Sequence, residues 1–99
     1  MTEATVAALI LDVRLPGCRS LKDKRSVLRP ILERLQHRFE VSVAEVDHQD
    51  LWQRAGLGVA AVSSSTAVLE RLLDDVERYV WAQADIEVIE ARRRWLEAD

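Results

Sequence analysis

VSVAEVDHQDLWQRAGLGVAAVS, residues 41–63, is the stretch whose reading decides the fold. Val41 to His48 is rich in β-branched residues and reads as a strand. Gln49 to Gln53 supplies the turn, and Arg54 to Ser63 reads as a second strand. Side chains alternate across a strand, so Leu57, Val59 and Ala61 share one face and Gly56 and Gly58 the other. Glycines weaken a strand unless another backbone approaches closely. In the first strand Val41 and Val43 share one face, and Ala44 and Val46 the other. That pattern fits either a bulge or burial on both sides.

Helices flank this hairpin on either side. Upstream, Ser20 reads as an N-cap with Asp23 as a short capping-box partner. Val27, Leu28, Ile31, Leu32, Leu35 and Phe39 follow at helical spacing. Pro30 removes a backbone donor, which predicts a kink or a split at Arg29. Downstream, Ser63 to Ser65 offers an N-cap. The stripe Val68, Leu69, Leu72, Leu73, Val76, Tyr79 and Val80 then predicts a second helix.

Strands close both ends. Thr5 to Leu15 carries Ala7, Leu9, Leu11, Val13 and Leu15 at period two, and Val6, Ala8 and Ile10 make its other face apolar. Pro16-Gly17 marks a turn. Ile86, Val88 and Ile89 favour a last strand, which Arg92 to Leu96 either extend or leave. The order β-α-β-β-α-β predicts an α+β fold, a ferredoxin-like two-layer sandwich. It comprises an antiparallel four-stranded sheet with two helices on one face. Right-handed crossovers put the first and third strands in its centre. Residues 1–99 are expected to form a single domain.

With 48% apolar and 31% charged residues the balance is globular. The lone Cys18 excludes an intrachain disulfide and fits a reducing compartment. The N-terminal apolar run breaks at Asp12 and Arg14, too early for a membrane span, so a cytoplasmic protein without a membrane partner is expected. The net charge of −3 argues against a surface coated for nucleic acid, but it hides an asymmetry. Arg14 to Arg38 holds eight cations against Asp23 and Glu33, a net of +6, leaving −9 for the rest.

At this point the residues resemble a family. SLKDKRSV at 20–27 and VSVAEVDHQDLWQRAGLGVA at 41–60 are similar to the YlxP-like family of small bacterial proteins, and the likeness runs to the terminal RRRWL. The resemblance implies a ferredoxin-like domain of unknown function, with no catalytic residue or cofactor to carry over. It also implies a link to RNA or the ribosome, through genes commonly found beside those for translation initiation and ribosome maturation.

Lys22, Lys24 and Arg25 fall in the first turn of the first helix, where cations oppose the helix dipole. Arg25 and Arg29 are a like-charge pair one turn apart. Accepting both costs points to an anion. An RNA phosphate backbone on Arg19, Lys22, Lys24, Arg25 and Arg29 is the expectation, against a solvated face on which Glu33 neutralises Arg29.

Glu45, Asp47, His48 and Asp50 could serve a metal or acid–base chemistry, but alternation puts Glu45 and Asp47 on one face and His48 on the other. One strand supplies too few ligands to close a site, so no metal is expected. Trp52 beside Arg54 could stack a base or anchor an interface. The central strands offer no aromatic to stack RNA on the sheet: their second face is Val6, Ala8, Ile10, Gly56, Gly58, Ala60 and Val62. So apolar a face predicts a homo-oligomer, a dimer packed through the sheet with Trp52 or Trp95 at its rim. Cys18 beside Arg19 reads as an incidental loop thiol.

Three readings follow. The first is a non-enzymatic module that binds RNA or a ribosomal partner through the basic helix. The second is a homo-oligomeric interaction protein, with or without a small ligand between subunits. The third, an enzyme using Glu45, Asp47 and His48, ranks last because the trio does not converge. No cofactor is expected.

Overall fold

The computed structural model describes residues 3–98. Six elements follow in the expected order: β1 (Ala4–Arg14), α1 (Leu21–Phe39), β2 (Ser42–Asp47), β3 (Arg54–Ser63), α2 (Thr66–Trp81) and β4 (Glu87–Ala98). The four strands form one antiparallel sheet, ordered β2-β3-β1-β4. The first and third strands are therefore central.

Burial shows which face the helices cover. Ala7, Leu9, Leu11 and Val13 of β1 are fully buried, while Val6, Ala8 and Ile10 between them are only partly so. The first set packs with Leu57 and Val59 of β3, Leu28, Ile31 and Leu35 of α1, and Leu69, Leu73, Val76 and Val80 of α2 in one cluster. Each fully buried leucine contributes about 1.5–3 kcal/mol relative to exposure.

Local chemistry sets the element ends. Ser20 Oγ accepts from the Asp23 N–H at 3.0 Å, and the Arg19 N–H donates to Asp23 Oδ2 at 2.9 Å. At the other end Glu40 adopts a left-handed conformation and its N–H donates to the Gln36 carbonyl. Ser65 caps α2 by accepting from the Val68 N–H.

The split expected at Pro30 does not occur: α1 runs unbroken through it. Pro30 and Ser26, four residues earlier, both lie on the exposed side of the helix. Water can take the carbonyl that the proline leaves without a donor. The bulge in β2 does occur. Its register against β3 shifts between Glu45, opposite Leu57, and Asp47, opposite Gly56. The close approach that glycine permits is here too. A Cβ on Gly56 would stand 2.6 Å from Asp47 Cβ, with the Asp47 backbone N at 3.2 Å. The last strand extends through Arg92 to Leu96, and Arg93 Nη2 donates to Asp74 and Glu77 of α2. No helix among the described residues is long and apolar enough to cross a membrane.

Candidate functional site

Helical spacing gathers the exposed cations of α1 on one side. Lys22, Arg25 and Arg29 are exposed and line a shallow recess of about 430 Å³ together with Ser26 and Pro30. Among the described residues no carboxylate forms an ion pair within 4.0 Å of the side-chain nitrogens of Arg19, Lys22, Arg25, Arg29 or Arg34, although the Arg19 backbone N–H does bond Asp23. Glu33 does not neutralise Arg29. By contrast Arg14, Arg54, Arg78, Arg92 and Arg93 each pair with a carboxylate.

Lys24 departs from the expected anion site. It is 2% exposed. Its Nζ donates to the carbonyls of His48 at 2.8 Å and Leu51 at 2.7 Å, with Gln49 O at 3.5 Å, and lies 2.5 Å from Glu45 Oε2. The contact with Glu45 is ionic rather than a directed hydrogen bond, since Glu45 Oε2 is buried without a hydrogen-bond partner. Three donors committed to the loop after β2, beside the Glu45 carboxylate, leave none for phosphate. The register of α1 explains it: Lys24 stands in the stripe of Leu28, Ile31 and Leu35, facing inward.

Beside this lysine, α1 and β2 enclose a groove of about 530 Å³. Leu21, Leu28 and Leu32 of α1 and Val43 of β2 form its apolar walls, and Arg25, Arg29, Glu33, Gln36, Glu45, Gln49 and Asp50 its polar lining. Only spatial assembly reveals it, because its two sides are far apart in sequence.

The bulge rearranges the acidic cluster. Glu45 pairs across to Leu57 on the helix side, whereas Asp47 opposes Gly56 on the open side, so the two do not share a face. His48 lies beyond the strand in a left-handed conformation, φ 58°. Alternation no longer governs it, and it turns towards Asp47 instead of away. His48 Nε2 is 3.8 Å from Asp47 Oδ2 and 3.9 Å from Asp12 Oδ1. Asp12 is already taken by Arg54, whose Nε and Nη2 reach its two oxygens at 3.1 and 2.6 Å. That hydrogen bond, with a smaller Coulombic pull from Asp12 and Asp47, holds the Arg54 guanidinium above its ordinary value against some desolvation. Arg54 thus faces Asp12 and makes no cation–π pair with Trp52, which is 52% exposed in the loop. Arg38 does stack, over Phe39 at 5.3 Å and Tyr79 at 5.7 Å. Among the described residues no three His, Cys, Asp or Glu are grouped to hold a metal.

The open face of the sheet carries Val6, Ala8 and Ile10 opposite Val62, Ala60 and Gly58, with Leu96, Arg94 and Arg92 on the β4 side. Gly56 lies at its far end, opposite Asp12. Trp95 pairs with Ala7 and so lies on the helix side, away from the rim expected of it. Cys18 lies in the loop between β1 and α1, as expected, and is buried there. Desolvation, then Asp23 and Asp85, push its thiol up from 9.0 against a smaller downward pull from Lys24.

Residues 6–93 match the family model described as "Protein of unknown function (DUF503)". The chain is 45% identical over 76 residues to the "Uncharacterized protein YlxP" of Bacillus subtilis (strain 168), covering 77% of this chain and 83% of that one. A solved structure of the de novo designed protein Foldit4 aligns at 15% identity with a TM-score of 0.48, covering 99% of this chain and 98% of that one. LarC2, the C-terminal domain of a cyclometallase involved in synthesis of the NPN cofactor of lactate racemase, aligns in its apo form at 12% identity and the same TM-score of 0.48, covering 99% of this chain and 58% of that one.

Proposed function

Starting from a chain that belongs to the DUF503 family of unknown function, we propose a non-enzymatic binding module that holds an RNA phosphate backbone on the exposed cations of α1. The observation that carries this reading is the segregation of unpaired charge. Among the described residues the side chains of Arg19, Lys22, Arg25, Arg29 and Arg34 are concentrated in one segment without carboxylate partners, whereas outside it Arg71 and Arg94 stand singly without one, Arg38 stacks on aromatic rings, and the arginines at positions 14, 54, 92 and 93 are paired. An exposed ion pair is worth little to the fold, so leaving these cations unpaired costs little stability. It leaves their field free for a polyanion.

The test is an RNA titration at low and physiological salt, with Lys22, Arg25 and Arg29 changed to glutamine and Lys24 kept. Each phosphate contact adds about 0.7–0.9 to the slope of log affinity on log salt, so the variant should lose about two units of slope. Unchanged affinity and slope overturn the reading.

A second reading uses the open face of the sheet. Val62 and Leu96 flank Val6 in one row across the sheet and are 66% and 64% exposed. A second copy of this chain, packed on the small side chains of Ala8, Ala60 and Gly58, would cover them. Sedimentation as a monomer at tens of micromolar overturns it.

A further inference from the structure

The basic face and the groove between α1 and β2 share a wall. Arg25 and Arg29 line both the recess that contains Lys22 and the groove of about 530 Å³. A phosphate chain laid along the basic face would therefore run past the groove's mouth. We propose that the groove seats one unstacked base of single-stranded RNA, with an amino-bearing base favoured over uracil, while Arg25 and Arg29 hold the adjoining phosphates. This rests on the reading of the basic face as an RNA contact.

The chemistry of the lining selects the occupant. Its volume lies in the ordinary range for a small-ligand site, roughly 300–1,000 Å³. Leu21, Leu28, Leu32 and Val43 offer apolar surface to the two faces of a flat ring. The polar lining includes the carboxylates of Glu33 and Asp50, which accept hydrogen bonds and donate none, and that of Glu45, one oxygen of which is held by Lys24. Cytosine, adenine and guanine carry an exocyclic amine that donates, and a carboxylate accepting from cytosine N4 is an established pairing. Uracil presents a carbonyl oxygen at the equivalent position, which a carboxylate repels, and has only its N3–H left to donate. The same carboxylates make the groove unsuited to phosphate, so the phosphates stay on the arginine rim. A base paired in a duplex must first leave its stack, at a cost of about a few kcal/mol, which disfavours double strands.

The experiment compares oligo(C), oligo(U) and an abasic strand of equal length by fluorescence anisotropy, with the native protein and with Leu32→Trp, which fills the groove. Native protein should bind oligo(C) about tenfold more tightly than either other strand. Cytidine monophosphate should compete where uridine monophosphate does not. Leu32→Trp should lose the preference and keep the salt slope. Equal, salt-sensitive binding of all three strands by the native protein overturns the groove and leaves the basic face standing. A native preference that Leu32→Trp retains with its fold intact by circular dichroism also overturns the groove. Absence of salt-sensitive binding to any strand overturns both.

Discussion

Lys24 Nζ lies 2.5 Å from Glu45 Oε2, and the same ammonium donates to the carbonyls of His48 and Leu51. One side chain thus ties the first turn of α1 to β2 and to the loop that follows. Its own charge and the loop's carbonyls are satisfied together, as burial of a charge demands.

Replacing Lys24 with methionine leaves Glu45 beside apolar atoms and two loop carbonyls without their donor. The expected loss is about 3 kcal/mol, the lower end for breaking a buried pair, because Glu45 keeps some contact with water. Lys22→Met, on the exposed side, should stay within about 0.5 kcal/mol. Urea midpoints of the two variants check this, and equal effects refute the staple.

Gly56 is the one glycine that backbone crowds, so Gly56→Ala should destabilise by about 1–3 kcal/mol as β2 is pushed off β3. At Gly17 an added methyl would meet nothing within 4 Å, and the residue has no positive φ. Gly17→Ala should be neutral or stabilising by about 0.4–1 kcal/mol. Thermal unfolding of both proteins decides it.

Pro30 sits in the exposed interior of a continuous helix. Pro30→Ala restores the N–H that can donate to the Ser26 carbonyl and removes the ring's clash with it. Stability should rise by about 1–3 kcal/mol. A fall in the urea midpoint would mean that the proline supports the native packing.

Cys18 gives a pH dependence. Its folded thiol titrates above the unfolded one, so the folded state holds the proton more tightly. The stability this contributes is full below the unfolded value, about 9.0, and declines as pH rises through the higher folded value. Between pH 8 and 10 the native chain should lose stability more steeply than Cys18→Ala. Parallel curves count against the shift.

The fold was legible wherever periodicity and capping agree. The bounds of β3 and the Ser20 cap follow directly from Arg54 to Ser63 and from Ser20-Asp23. The family likeness carried by residues 20–27 and 41–60 agrees with the family match over residues 6–93. The site was less legible because it depends on distant segments. Lys24 carries a charge that reads as surface, yet it is three residues after Leu21, four before Leu28 and seven before Ile31. That position within the apolar stripe was the available signal for an inward lysine. The alternation rule failed at Asp47 and His48 because a bulge and a left-handed residue each reset it. Nothing in the local sequence places Leu32 beside Val43, since their meeting is a product of the α1 and β2 packing.

The burial of Lys24 has a consequence for covalent chemistry. The chain contains two lysines, and the ammonium of Lys24 is enclosed by carbonyls and a carboxylate. Lys22 is left as the accessible ε-amine. An acylating reagent used on the folded protein therefore marks one lysine, in the middle of the basic stripe, and cancels one of its charges. A fluorophore attached there would report from the surface on which the phosphate backbone is proposed to lie.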